Sequence, residues 1–133
     1  MRIFLLTLLG AAISVLLDWV WFSLFGAAYY ARHLPGLLRM QSGAIRPQIL
    51  PAVAAYLFLS LGITMFVLPR VGTLLQAAAF GALYGLVVFG VYEATNMAIL
   101  QGWSWRVVVV DILWGCLGGA VLSCILFSVS SMS

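Results

Sequence analysis

The chain is 133 residues long, 65% hydrophobic and 7% charged, with six basic residues, all of them arginine, three acids and a formal net charge of +3. A soluble surface needs about a quarter to a third charged residues, so the composition excludes a water-soluble domain. The small positive charge reads as a membrane-topology and anionic-lipid signal, and no nucleic-acid partner is indicated.

Four apolar runs follow one another, at 3–25, 49–68, 73–100 and 105–127. Each is close to the length of about 20 helical residues that crosses a hydrocarbon core of roughly 30 Å. The expected fold is therefore all-α, an integral membrane bundle of four transmembrane helices in a single domain, with the lipid bilayer as its first partner. The first run is too long for the h-region of a cleaved signal peptide, and Asp18, Trp19, Trp21 and Phe22 in its second half are the wrong content for one. Residues 26–48 are the one sizeable connection. They carry Arg32, His33, Arg39 and Arg46, and "LPGLLRM" is expected to form a turn of interfacial helix. Pro47 and Pro51 stand at the start of the second run, where a missing N–H costs little, and "LPRVG" at 68–72 turns the chain into the third. "QGWSW" at 101–105 joins the third run to the fourth, and its two tryptophans suit a membrane interface.

Arginine counting gives an orientation. The long loop and the third connection hold Arg32, Arg39, Arg46 and Arg106, against Arg2 and Arg70 on the other side. The excess puts the long loop in the cytoplasm and both termini in the periplasm.

Every acid lies inside an apolar run: Asp18 in "SVLLDWVWF", Glu93 in "FGVYEATNM" and Asp111 in "RVVVVDILWG". At about 1.5 Å per residue, Asp18 and Glu93 lie roughly 11 Å before the ends of their runs and Asp111 roughly 9 Å into its own, with all three ends on one side. The acids are thus expected at one level, nearer the arginine-bearing face. A carboxylate at the bilayer centre costs about 2.5 to 3.5 kcal/mol on insertion scales, so three of them belong in the bundle interior. Helical phase agrees. Asp111 shares a face with Gly115, Gly118 and Gly119, and Glu93 continues the row Ala77, Gly81, Gly85, Phe89. Small residues at this spacing mark helix-packing faces, and a homo-oligomer through the Gly81/Gly85 and Gly115/Gly119 faces is one expectation. Trp21 and Trp114 each follow an acid by three residues, while Tyr92, Thr95 and Asn96 flank Glu93. The candidate ligand-binding set is therefore Asp18, Trp21, Tyr92, Glu93, Thr95, Asn96, Asp111 and Trp114.

At these residues the chain resembles a family of small bacterial membrane proteins, domain of unknown function 2177. The blocks that carry the resemblance are "LLDWVWF", "YYARHLPGLL", "AAYLFLSLGITMFVLP", "GALYGLVVFGVYEATNMAIL" and "WSWRVVVVDILWG". The most specific are Tyr92 to Asn96 and Asp111 to Gly115. The family more often has aspartate where this chain has Glu93, which keeps the charge and lengthens the reach by a methylene. The resemblance implies a four-span protein of the bacterial inner membrane and carries no reaction with it.

Several chemistries find no support. His33 is the only histidine and falls in the connection, which leaves no intramembrane pair for haem and no Ser-His-Asp set of the familiar kind. Cys116 and Cys124 are about 12 Å apart along one helix and lack CxxC spacing. No metal-ligand, phosphate-loop or dinucleotide signature is present, and no cofactor can be named. Three function classes survive: a carrier or binder of a proton, cation or small polar ligand; a membrane enzyme acting on a lipid, with an acid as general base and the loop arginines on an anionic headgroup; and an accessory subunit that packs through its glycine faces. Against all three stands a structural role in which hydrogen-bonded acids only tie helices together.

The topology is directly testable. In a variant lacking Cys116 and Cys124, single cysteines at Ser42 and Ser131 should react with an impermeant thiol reagent from opposite sides of the membrane. Labelling of both from one side would defeat the arrangement.

Overall fold

A computed structural model of the protein describes residues 1–132. The four helices α1 (Arg2–His33), α2 (Ile49–Arg70), α3 (Leu74–Ile99) and α4 (Trp105–Met132) are each long and apolar enough to cross a membrane, and together they form an all-α bundle. Local chemistry sets their starts. Thr73 caps α3: its side chain accepts from the Gln76 N–H while Gln76 Oε1 accepts from the Gly72 N–H, so two otherwise unpaired amides are satisfied. Ser104 opens α4, its carbonyl accepting from Val107 and Val108 and its Oγ from the Arg106 N–H.

The densest contact in the bundle is α3 against α4, and it is made backbone to backbone. A methyl group added at Gly81 would overlap the Gly119 carbonyl and the Ser123 side chain; one at Gly85 would overlap the Gly115 carbonyl. In lipid no hydrophobic force drives helices together, so close approach and dispersion hold such a pair. Ala77, Gly81, Gly85 and Glu93 are all buried along this seam. The same fact corrects the expected homo-oligomer. The Gly81/Gly85 and Gly115/Gly119 faces meet each other within one chain, so neither is left for a second copy.

The second interface joins α1 to α2, with Gly10 set against Ser60. One end of the bundle is filled by Ile63, Val67, Leu122 and Leu126. There the Arg2 guanidinium donates to the Ser130 carbonyl, which places the two termini together. At the opposite end Tyr30, Leu34 and Val107 are buried, with Ile45 and Trp103 packed on them.

Two features differ from the sequence expectation. The first helix does not stop near Phe25 but continues to His33 through a π-helical stretch, Phe22–Gly26. The small residues Gly26, Ala27 and Ala28 look like a loop start, yet Gly26 is a packing position that holds the Trp21 ring. "LPGLLRM" forms no helix. Pro35 disfavours helical geometry at Leu34, which sits at φ −128, and Gly36 turns with φ 79. The chain then makes a two-stranded hairpin, Met40–Gln41 with Ala44–Ile45, closed by Ser42 and Gly43, both at positive φ as a two-residue hairpin turn requires.

The glycine seam sets a stability expectation. Gly85→Ala forces the α3 and α4 backbones apart and should cost about 1–3 kcal/mol, read as a lowered thermal midpoint in mild detergent. Gly90→Ala, where an added methyl meets nothing, should leave the midpoint unchanged or slightly raised. Equal losses from both would contradict the backbone contact.

Candidate functional site

The π stretch in α1 has a geometric effect on its polar residues. Asp18 and Tyr30 are twelve positions apart, which in an uninterrupted α-helix leaves them about 120° apart; one inserted residue reduces this to about 20°. Both can then face the interior from one helix. Asp18 Oδ2 accepts from the Tyr56 hydroxyl of α2 at 2.8 Å, and Oδ1 accepts from the Trp114 indole N–H of α4 at 2.8 Å. One carboxylate thereby ties three helices. Trp21 stacks on Trp114, with ring centroids 4.6 Å apart and planes 11° from parallel, which fixes the donor's orientation.

Asp111 accepts from the Tyr30 hydroxyl. Glu93 is fully buried; its Oε2 accepts from the Trp103 indole N–H at 2.6 Å, while Oε1 is buried with no hydrogen-bond partner. Glu93 and Asp111 are close enough to interact electrostatically, and Asp111 also acts on Asp18. Two carboxylates are both acceptors, so a bond between Glu93 and Asp111 forms only when one of them carries a proton. All four donors to the acids are neutral hydroxyl or indole groups, and among the described residues no arginine is a partner.

The acids are spread along the bundle rather than gathered at one level. Asp18 is bonded to Trp114, nearly one turn further along α4 than Asp111, and the α3–α4 register sets Glu93 about one turn from Asp111 on the facing helix. A count from Phe25 misplaces Asp18 because it ends α1 too early. Among the described residues, no three His, Cys, Asp or Glu side chains gather where they could hold a metal ion.

Besides a small void of about 30 Å³ beside Asp18 and Trp114, two larger cavities adjoin the acids. The larger, about 330 Å³, lies between α2 and α3 and reaches Asp18, with Ala52, Tyr56, Val88, Phe89 and Tyr92 among its walls. The two helices meet mainly at their far end, through Ile63–Val67 and through Gly62 against Tyr84, and diverge toward the hairpin side. The smaller, about 160 Å³, contains Asp111 with Tyr30, Ile45, Tyr92 and Trp103. Tyr92 borders both, and its ring stands edge-on to Trp103 at 6.4 Å.

Of the expected set, Asp18 is joined to Trp114, with Trp21 stacked behind, and Glu93 and Asp111 are neighbours. Thr95 is exposed and donates to the Val91 carbonyl of its own helix, and neither Thr95 nor Asn96 is hydrogen-bonded to a carboxylate. Tyr30, Tyr56 and Trp103 join the site from outside that set. Tyr56 is the one residue with a polar side chain between Ile49 and Leu59, a signal present in the sequence. Tyr30 is masked by the loop-like run of small residues before it, and Trp103 by its resemblance to an interface anchor.

These bonds differ in what their loss leaves behind. Trp103→Phe strips the buried Glu93 of its N–H donor and should cost about 1–3 kcal/mol. Tyr56→Phe leaves Asp18 with Trp114 and should cost about 0.6 kcal/mol, the average for a side-chain bond in a membrane. Thermal midpoints in detergent should follow that order; the reverse order would contradict the assignment of donors.

No curated protein and no solved structure matches the chain. A family described as "Predicted membrane protein (DUF2177)" matches residues 3–128. With four membrane-spanning helices and a match over nearly its whole length, the chain belongs to the DUF2177 family of multi-pass membrane proteins.

Proposed function

We propose that the protein is a membrane-embedded binder or carrier of a proton, a cation or a small polar ligand, with Asp18, Glu93 and Asp111 as its binding carboxylates. The observation that carries this reading is the pair of cavities on either side of Tyr92, each with a carboxylate in its wall and no basic partner for it. Ionisable groups inside a bundle mark ligand or ion paths more often than lipid-facing decoration. Glu93 Oε1 is buried with no N–H or hydroxyl donor of the protein, which leaves it for a ligand or for a proton shared with Asp111. Tyr92 serves as a wall of this path and Trp114, with Trp21 stacked on it, as a donor to Asp18, while Asn96 and Thr95 stay outside the set that bonds the acids. The protein resides in the bacterial inner membrane with its hairpin connection in the cytoplasm, on the strength of the arginine bias.

The gap between α2 and α3 supports a second reading. It would admit a lipid substrate from the side, with an acid as general base and the arginines of the connection on its headgroup. Turnover of lipid by the purified protein without any gradient would favour that enzyme over a carrier.

Substitution separates binding from helix ties. Glu93→Gln and Asp111→Asn keep size and hydrogen-bonding capacity but cannot ionise. Both should abolish proton or cation uptake into proteoliposomes while leaving stability in detergent within about 1 kcal/mol of the parent. Full uptake in both variants, with losses only in the alanine versions, would assign the acids a structural role.

A further inference from the structure

The crevice between α2 and α3 has a chemistry more specific than a polar path requires. Its inner wall is the Asp18 carboxylate, three aromatic rings stand around it, Tyr56, Phe89 and Tyr92, and the rest is apolar, including Ala55 and Val88. Its volume of about 330 Å³ falls at the lower end of the roughly 300–1,000 Å³ of small-molecule sites. Because α2 and α3 diverge on this side, the crevice is reached from the bilayer.

Resting on the proposal that the carboxylates bind ligand, we infer that this crevice takes a lipophilic ammonium ligand, its cationic group against Asp18 and its apolar part along Ala55 and Val88. The alternatives fit less well. An anion would face a carboxylate with no arginine to offset it. A neutral donor could use a second lone pair of an Asp18 oxygen, each of which already accepts one bond, from Tyr56 and Trp114, but it would gain nothing from the aromatic faces. A cation gains both from the carboxylate, whose present partners are all neutral, and from aromatic faces, which attract cations electrostatically and most strongly when desolvated. An inorganic ion would use the carboxylate but none of the apolar wall. Only an ammonium group joined to an alkyl or aryl body matches every side of the crevice.

The test uses the full chain in nanodiscs, titrated with decyltrimethylammonium, decyl sulfate and decanol, which share a chain and differ in charge. Indole emission is the readout, since Trp114 is bonded to Asp18 and stacked on Trp21, and empty nanodiscs correct for partitioning. The ammonium compound alone should bind saturably. Asp18→Asn should abolish that binding, and Phe89→Leu should weaken it roughly 3- to 30-fold. Ala55→Phe, which fills the crevice without touching the carboxylate, should abolish it too and keeps the question open to refutation if Asp18→Asn fails to fold. Equal binding of all three amphiphiles, or unchanged ammonium binding in Ala55→Phe, overturns the inference. Should uptake of protons or inorganic cations persist in the parent protein without saturable ammonium binding, this inference falls and the broader function stands.

Discussion

The backbone contact between α3 and α4 determines where the chemistry can be. Gly81 faces Gly119 and Gly85 faces Gly115, so each step of four residues along α3 is answered by a step of four back along α4. Continuing that register sets Phe89 opposite Asp111 and Glu93 opposite Val107, which puts the two acids one turn apart on facing helices. Packing of the Phe89 ring on Gly115 belongs to the same register. A side chain larger than hydrogen at either glycine pair would change the helix separation along the whole seam, and with it the approach of Glu93 to Asp111.

A second constraint comes from the absence of charge compensation. In hydrocarbon an unpaired carboxylate is expensive, and a common remedy is a buried arginine that forms a dry ion pair. This chain instead surrounds its acids with Tyr30, Tyr56, Trp103 and Trp114, whose polar tips donate while their rings stay compatible with lipid. The aromatic residues thus do two jobs. They hold the carboxyl groups in place, and they do so without bringing a compensating charge into the bundle.

Hydropathy and glycine spacing make the four spans and the α3–α4 face legible in the sequence, because both depend on periodic patterns that a single chain displays. The bonding of Asp18 to Trp114 and of Tyr30 to Asp111 from one helix lies beyond such patterns. It depends on the relative rotation of α1, which the π stretch at Phe22–Gly26 alters and which no periodicity announces. Thr95 shows the opposite failure: its position near Glu93 in "YEATN" suggests a ligand, but residues two apart on a helix point about 160° apart, and its hydroxyl donates to the Val91 carbonyl. Glycine rows are legible as packing faces, yet the partner in that packing is the neighbouring helix of the same chain and not another copy.

The unequal helix lengths bring the thickness of the membrane into play. α1 has 32 residues and α2 has 22, so α1 is longer by about 15 Å and carries Tyr29, Tyr30 and His33 past the level at which α2 begins. In a bilayer that matches α2, the bond from Tyr30 to Asp111 lies near the headgroups, where water competes for both partners. A thicker leaflet draws it into hydrocarbon, where no such competitor exists and the bond is harder to open. Lipid chain length, which helices otherwise meet by tilting or by deforming the bilayer at modest cost, would therefore act here on the strength of the bond from Tyr30 to Asp111.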